Sequence, residues 1–302
     1  PLYRDPTNGE LAGLMARKLW RRLKLKLAGR FRLDQWILLY SLGSELTLSL
    51  WRYKRIVPPK DRFWADPHVI QRNGKYYVFL EELPYATNKG HIAMMTIDAK
   101  GRTSEPVTVL DRPYHLSYPF LFEHGGETYM IPESVANSTI ELYRCVEFPH
   151  RWEFQENLMS GIKAVDATIV FHEGKYWLFA NMIENAGASS WDELFVFHSD
   201  APFGSAWTPH PMNPVVSDCK SARPAGPLFR HNGRLYRPAQ DCSNHYGYGL
   251  VLARVDVLNE REYSETVVSR AGPDFAPDVI ATHTFVRTGS LSMIDALVRR
   301  RR

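Results

Sequence analysis

A short apolar run, a polar turn with a glycine and a second apolar run recur five times along the chain. The turn glycines are Gly74, Gly126, Gly174, Gly233 and Gly289, and they lie 52, 48, 59 and 56 residues apart. Two strands joined by a glycine turn, repeating every 40–50 residues or so, are typical of a propeller blade. Glycine supplies the positive φ that a hairpin turn requires. The pattern predicts an all-β fold, a five-bladed β-propeller.

The first 33 residues follow a different pattern, in which apolar residues recur every four positions. These residues are Leu11, Met15, Leu19, Leu23 and Leu27. Between Glu10 and Asp34 the sequence has eight bases and no acid. We therefore predict a basic amphipathic helical leader over residues 1–33 and a propeller over residues 34–302. Such a helix suits binding to an anionic membrane surface, and it is equally compatible with packing across the propeller.

The fifth blade is short of strands. Only residues 283–286 and 291–294 have strand patterns there, whereas a blade needs about four strands. Two further strand-like runs, residues 35–40 and 46–56, precede the first repeat. We expect these N-terminal runs to complete the fifth blade and close the ring, because closure removes exposed sheet edges.

The composition indicates the cellular compartment and limits the kinds of partner that are expected. The three cysteines are odd in number and lack metal-type spacing, which favours reduced thiols. No apolar run reaches the ~18 residues of a membrane span, and no signal-peptide pattern opens the chain. We expect a cytoplasmic protein, peripheral at the inner membrane face if the helix binds lipid. The net charge is only +4 and basic residues are not interleaved with aromatic ones, so no nucleic-acid partner is expected.

The repeat places polar residues at two recurring positions. The first position holds Asp66, Tyr118, Asp166 and Ala225, and the seventh after the glycine holds Glu81, Glu133, Asn181 and Gln240. Glu82 and Asp241 follow directly, and Trp64, Arg223 and Arg237 lie nearby in the sequence. Inner strands of all blades converge on one axis, so we expect these side chains to meet. Close acids raise each other's pKa, which suits acid–base chemistry. The alternative is a water-filled channel whose polar groups only satisfy each other.

Four motifs resemble the five-bladed propeller glycosidases of glycoside hydrolase family 43. They are Asp66-Pro67, Asp166, Gly226-Pro227 and Thr282-His283. The resemblance implies that Asp66 is the general base, that Asp166 tunes it and that His283 lines the channel, where a structural calcium ion can bind. No cofactor is expected to be required. The family's general acid does not carry over, because Ala225 stands where a Glu precedes Gly-Pro.

A closer resemblance covers residues 35 to 296. It rests on residues 63–67, 79–82, 129–134, 223–226, 237–241 and 283–285. These stretches are similar to the N-terminal propeller region of plant glucosamine inositolphosphorylceramide transferases and of bacterial stand-alone relatives. The resemblance implies a glycan-building role and a lipid-linked acceptor.

The absent acid directs the functional prediction. A sugar leaving group needs a proton, whereas a phosphate departs as a stable anion and needs only positive charge nearby. We therefore predict a glycosyltransferase that moves a sugar from a phosphate-activated donor to a glycan or lipid-linked acceptor. The alternatives are a glycosidase with a substitute acid, Glu133 or Glu82, and a non-catalytic carbohydrate-binding module. We expect catalytic roles for Asp66, Asp166, Glu133 and Glu82, and substrate contacts from Trp64, Tyr118, Arg223, Arg237, Gln240, Asp241, His283, Glu81 and Asn181.

Overall fold

The protein is a five-bladed β-propeller with one N-terminal helix, as predicted. The computed structural model describes residues 6–29, 32–43, 49–185 and 187–301. In these residues the strands form five antiparallel sheets, and the helix, α1, spans Asn8–Gly29. Three single-turn 3-10 helices span Leu50–Arg52, Val135–Asn137 and Pro273–Phe275.

Each sheet is one blade, and its strands are named in order from the inner to the outer strand. Blade one holds β3 (Arg62–Arg72), β4 (Lys75–Pro84), β5 (His91–Ile97) and β6 (Val107–Leu110). Blade two holds β7 (Ser117–His124), β8 (Glu127–Ser134), β9 (Thr139–Glu147) and β10 (Arg151–Ser160). Blade three holds β11 (Ala164–His172), β12 (Lys175–Met182), β13 (Glu193–Ser199), β14 (Thr208–Pro209) and β15 (Val216–Ser217). Blade four holds β16 (Phe229–His231), β17 (Arg234–Asp241), β18 (Gly249–Leu258) and β19 (Tyr263–Ala271). Blade five holds β20 (Val279–Ala281), β21 (Phe285–Thr288), β22 (Leu291–Arg301), β1 (Arg32–Leu42) and β2 (Lys54–Ile56).

The two ends of the chain meet in blade five. β1 pairs with β22 over its whole length, from Arg32 opposite Arg301 to Leu42 opposite Leu291. β1 begins at Arg32, two residues before the predicted start of the propeller. The ring is thus joined by strands that are remote in sequence, which leaves no open sheet edge between the termini.

The strand expected over residues 46–56 is shorter in the structure. Residues 44–48 lie outside the described residues, and the rest forms the turn at Leu50–Arg52 followed by the three residues of β2. Leu50 and Tyr53 are both buried in the same apolar cluster as Ile37. A spacing of three residues faces one side of a helical turn but opposite sides of a strand, so core packing explains the change.

The predicted glycine turns have the expected backbone. In blade one, Asn73 (φ 49°) and Gly74 (φ 71°) form the two-residue link between β3 and β4. Positive φ at both central residues defines a type I′ turn, whose twist matches that of the flanking strands. The turns at Gly126, Gly174 and Gly233 repeat this geometry.

The core consists of apolar layers between neighbouring blades. Leu178 and Ala180 of β12 pack with residues of blade two, whereas Trp177 and Phe179 pack with residues of blade four. The alternation follows from the two-residue period of a strand. Asn181 continues the series of Trp177 and Phe179, so it lies on the blade-four side of β12.

Helix α1 begins with a reciprocal pair of hydrogen bonds. The Thr7 backbone N–H donates to Glu10 Oε2 at 2.8 Å, and the Glu10 N–H donates to Thr7 Oγ1 at 3.3 Å. This T-x-x-E arrangement satisfies two amide groups that a helix start leaves without partners. Among the described residues, no helix is both long enough and apolar enough to cross a membrane.

Candidate active site

The inner strands bulge at the first position of the repeat. In β3 the ladder skips from Ala65 to His68, so Asp66 and the following proline leave the regular pairing. The same break occurs in β7 at Tyr118 and in β11 at Asp166. All three residues have positive φ, at 52°, 40° and 53°. Non-glycine residues rarely adopt this backbone, and bulges next to active sites re-aim side chains.

The bulges and their neighbours bring eight side chains together, the channel cluster. It comprises Asp66, Glu81, Glu133, Asp166, Arg223, Gln240, His283 and Asp295. All but Glu133 are buried, and its side chain is only 10% exposed. Seven of these residues were predicted to meet on the axis. Two linked groups make up the cluster, one around Asp66 and one around Asp166.

The first group couples blade one to blade five. Asp66 Oδ1 accepts a hydrogen bond from the Thr284 hydroxyl at 2.9 Å, and Oδ2 accepts one from the Tyr118 N–H at 3.2 Å. His283 Nδ1 lies 2.7 Å from Asp295 Oδ2 and 3.8 Å from Asp66 Oδ1. The Asp66 backbone N–H donates to the same Asp295 oxygen at 2.9 Å. Asp295 therefore holds the backbone of the bulge and the histidine in register.

Burial and charge set opposite protonation preferences in this group. Burial raises the pKa of Asp66 to about 7; the charge of His283 lowers it, while those of Glu81 and Asp295 add to the rise. Burial alone would lower the pKa of His283, but Asp295 and then Asp66 raise it to about 9. At neutral pH the imidazole is a cation, and Asp66 exchanges its proton near physiological pH.

The second group is organised by Arg223. Its Nε donates to Asp166 Oδ2 at 2.6 Å, and its Nη2 donates to Asp166 Oδ1 at 3.2 Å and to Glu133 Oε2 at 3.5 Å. Gln240 Nε2 also donates to Asp166 Oδ2, at 3.0 Å. The paired contact fixes Asp166 in orientation, because a guanidinium matches a carboxylate edge to edge.

Glu133 is the carboxyl of the second group whose uncharged form is favoured. Burial raises its pKa well above the ordinary value, and the charge of Asp166 raises it further, against the opposing effect of Arg223. Two adjacent carboxyls share one proton more easily than they both ionise. The surroundings of Glu133 therefore favour its protonated form.

Aromatic side chains and two loops form the mouth over the cluster. Tyr246 stacks against the Arg223 guanidinium, with 4.9 Å from Cζ to the ring centre, and meets His283 edge-on at 5.3 Å. Trp36 stacks on the other side of His283 at 4.0 Å. Ser190, on the loop after β12, accepts hydrogen bonds from Arg223 Nη1 through its carbonyl at 3.2 Å and its hydroxyl at 3.1 Å. Aromatic faces of this kind can stack on a sugar ring.

Four predicted site residues make their contacts outside the channel cluster. Trp64 Nε1 donates to Glu82 Oε2 at 2.8 Å, and Arg62 also binds this carboxylate. Despite the opposing effect of burial, these donors and His91 lower the pKa of Glu82, so it stays ionised. Arg237 is fully buried and forms a two-bond pair with Glu265. Asp241 accepts bonds from Ser243 within its own loop. Strand alternation explains Glu82, since it follows the cluster residue Glu81, and Trp64 lies directly opposite Glu82 in the ladder and so shares its face.

Other predicted residues lie beneath or beside the cluster. The Tyr118 hydroxyl is buried against the Thr168 hydroxyl at 2.9 Å. Glu81 Oε1 lies 3.1 Å from His115 Nε2, which links it to the loop before blade two. Asn181 is fully buried, and neither side-chain amide atom has a hydrogen-bond partner among the described residues. Such a group is costly to bury alone, so a ligand or a water is expected to satisfy it.

Ala225 is confirmed as a position without an acid. Its side chain is fully buried in an apolar cluster with Phe285 and Leu250, and the next residue, Gly226, has φ 134°. A Cβ at Gly226 would lie 2.1 Å from the Phe285 carbonyl oxygen. Blade four therefore contributes no carboxylate at this position of the repeat.

Asp66, His283 and Asp295 are also the residues to test for the calcium ion. One donor atom of each lies within 4.8 Å of the others. Calcium prefers about six to eight oxygen ligands. Here one donor is an imidazolium, and both Asp295 oxygens already accept N–H groups, from Asp66, His283 and Thr284. The set does not fit calcium in this arrangement.

Sequence reasoning missed Asp295 and Trp36, whereas Tyr246 belongs to the aromatic, glycine-rich segment 241–249, whose composition suits either stacking on a sugar ring or a plain surface turn. Asp295 is the sole acid in the otherwise apolar β22 run from Leu291 to Leu297, a sign of a buried, partnered charge. It escaped notice because it does not occupy the repeat position shared by the other acids. Trp36 gave no signal, since the pairing that brings β1 to His283 joins distant parts of the chain.

Comparison with known proteins matches this chain to one family. The family model described as "Glucosamine inositolphosphorylceramide transferase 1, N-terminal" matches residues 56–273. Glucosamine inositolphosphorylceramide transferase 1 of Arabidopsis thaliana is 38% identical over 209 residues, which is 68% of this chain and 27% of that protein. Its namesake in Oryza sativa subsp. japonica is 35% identical over 210 residues, 68% of this chain and 28% of that protein. The match spans about a quarter of the length of these curated relatives.

Solved structures show the same fold at low identity. Zg3597, a family 117 glycoside hydrolase of Zobellia galactanivorans, aligns over 87% of this chain and 90% of its own, with a TM-score of 0.55 and 13% identity. The catalytic domain of the GH62 α-L-arabinofuranosidase of Coprinopsis cinerea aligns over 77% and 90%, with a TM-score of 0.56 and 12% identity. These likenesses concern the fold alone. The sequence match carries the assignment, and the chain belongs to the family of the glucosamine inositolphosphorylceramide transferase 1 N-terminal domain.

Proposed function

We propose that the channel cluster transfers a sugar from a phosphate-activated donor to a hydroxyl of a glycan or a lipid-linked acceptor. The observation that carries the proposal is the Asp66 carboxyl, buried on a strained bulge with a pKa of about 7. A base that titrates near the working pH is suited to accept a proton from a hydroxyl nucleophile. The name of the plant relatives supports transfer to a lipid, since it specifies a transferase acting on inositolphosphorylceramide.

The other members of the cluster have distinct roles in this proposal. Asp66 accepts the proton of the acceptor hydroxyl, while His283 and Asp295 keep the bulge in place. Glu133, which is protonated, donates a hydrogen bond to the oxygen of the leaving group. Arg223 offsets the negative charge there, because its Nη1 is held, among the described residues, by Ser190 of the mouth alone. Arg237 has no part in donor binding, since Glu265 and backbone carbonyls occupy its donors.

One observation favours hydrolysis as the second candidate. A glycosidase needs a protonated carboxyl beside a carboxylate, and Glu133 is raised in pKa next to Asp166. Of the two substitute acids suggested by the sequence, Glu82 is unsuitable because it stays ionised. Glu133 could therefore protonate a sugar leaving group with Asp66 acting on water.

A donor panel separates the two reactions. The protein is incubated with nucleotide sugars, with and without an inositol phospholipid, and products are followed by mass spectrometry. Transfer predicts a lipid product heavier by one sugar, lost in Asp66→Asn and reduced ~10²-fold or more in Glu133→Gln. Asp241→Asn is the matched control, since its carboxylate lies outside the cluster at the end of β17 and accepts hydrogen bonds from Ser243 and Arg270, and it should keep activity. Hydrolysis of an aryl glycoside without any lipid product would instead establish the glycosidase.

A further inference from the structure

The propeller has one end at which the inner strands β3, β7 and β11 begin. The bulges lie a few residues from it, and the mouth loops rise there, because β12 ends at Met182 opposite the start of β11 at Ala164. We call it the site end. Asp66 is four residues into β3, about 13 Å along the strand from Arg62. Any surface that covers the site end faces the channel cluster.

Helix α1 enters the propeller at this same end. β1 begins at Arg32, opposite Arg301, and runs away from the site end toward Leu42. Three Cα–Cα steps separate the helix end at Gly29 from Arg32, a reach of about 11 Å. The C-terminal end of the helix is therefore tethered beside the site end, whatever direction its axis takes.

Apolar side chains between residues 11 and 20 of α1 are exposed to solvent in the structure. Leu14, Met15 and Leu19 are 55%, 64% and 66% exposed, and Trp20 is 60% exposed. Exposed apolar residues clustered on one helix usually mark a surface that binds something. Packing across the propeller, the alternative that the sequence left open, does not bury Leu14, Met15 or Leu19.

Basic residues outnumber acidic ones beside this helix. The sequence has seven bases from Arg17 to Arg30, and a basic rim, defined as Arg32, Lys60, Arg299, Arg300 and Arg301, lies at the site end. Arg299 pairs with Asp34, and Arg300 binds the Gln35 side chain and the Pro58 carbonyl. Arg32, Lys60 and Arg301 are exposed. Apolar side chains among predominantly basic ones match a lipid interface with anionic headgroups better than a protein surface.

We propose that α1 and the basic rim bind an anionic lipid surface, and that this binding turns the site end toward the lipid. A lipid-linked acceptor would then reach the channel cluster from the membrane plane. That last step rests on the proposed function, whereas the binding itself does not.

Vesicle sedimentation with the full chain tests the binding. Vesicles of phosphatidylcholine alone are compared with vesicles containing equal amounts of phosphatidylcholine and phosphatidylglycerol. We expect binding to the anionic vesicles only, weakening as salt rises. Leu19→Glu should weaken binding about tenfold. Phe171→Glu, 56% exposed near the opposite end of the propeller, is the matched control and should bind like the unmodified chain.

A second pair of variants tests the orientation. Lys60→Glu with Arg301→Glu reverses two charges of the rim, and Lys75→Glu with Arg234→Glu reverses two exposed charges at the opposite end. The rim pair should lose about tenfold or more in vesicle binding, and the opposite pair should lose less than half as much. Absent binding to anionic vesicles, or an unchanged Leu19→Glu variant, would overturn the proposal. Equal losses in the two double variants would overturn the orientation. None of these assays contains a sugar, so failure of glycosyl transfer is scored separately.

Discussion

Replacing Asp295 by Asn is the sharpest test of the electrostatics of the site. The change keeps the size of the side chain and removes its charge. Asp295 is fully buried and faces His283 Nδ1 at 2.7 Å. Burial disfavours the imidazolium, and Asp295 is the largest influence in the opposite direction. Without that charge, His283 should titrate below its ordinary value.

The size of the effect follows from the pKa of His283, which is raised from 6.5 to about 9. The difference corresponds to ~3 kcal/mol of free energy of unfolding. Because the folded pKa is the higher one, this stabilisation is complete below pH 6.5 and is lost as the pH rises to about 9. The pKa of Asp66 is raised from 3.8 to about 7, so its effect on the free energy of unfolding changes mainly between these pH values, below the range in which His283 titrates.

Urea unfolding from pH 6 to pH 10 measures this dependence. The unmodified protein should lose ~3 kcal/mol more than Asp295→Asn between pH 6.5 and 9. Below pH 6.5 the variant should be less stable by that amount, plus a pH-independent loss from weakened bonds to the backbone N–H groups. Asp278→Asn is the control. It breaks an exposed ion pair with Arg55 and should lower the free energy of unfolding by less than ~1 kcal/mol at every pH. Parallel pH profiles for the unmodified protein and Asp295→Asn would refute the reasoning.

Three further outcomes are expected. Gly226→Ala should lower the free energy of unfolding by more than ~2 kcal/mol, because the added Cβ would collide with the Phe285 carbonyl. In the same urea assay the control Gly161→Ala, which has φ 73° and open space around it, should lower it by about 1 kcal/mol. Glu133→Gln should raise the thermal midpoint at pH 7 while lowering turnover ~10²-fold or more, because a carboxyl whose pKa is raised in the folded state destabilises the protein as the pH rises above its unfolded pKa; an unchanged or lower midpoint would contradict this. Arg237→Met should lower the free energy of unfolding by ~3–5 kcal/mol, because it leaves the Glu265 charge buried without its ion-pair partner. Equilibrium dialysis of the folded fraction should show that the affinity for the sugar donor is unchanged.

The sequence was sufficient for the fold because the blade is a local unit. Each repeat carries its own turn, as at Asn73-Gly74, and its own alternating strands, so five spaced glycines predict five blades. Equivalent positions of a propeller converge on its axis, which is why Asp66, Glu133, Asp166 and Gln240 could be predicted to meet. The helix was equally local, since the period of its leucines and the Thr7–Glu10 cap lie within the segment itself.

The partners of these residues depended on tertiary structure. Arg223 and Arg237 are both arginines of blade four, yet one binds Asp166 in the channel and the other binds Glu265 within its blade. The sequence cannot separate them, because the difference lies in how the bend that carries Arg223 and the strand β17 that carries Arg237 pack in the folded protein. Asp295 and Trp36 reach the site only because β1 and β22 close the ring. Protonation was likewise decided by the fold, since burial and neighbouring charge, and not residue type, raise the pKa of Asp66 to about 7 and raise that of Glu133.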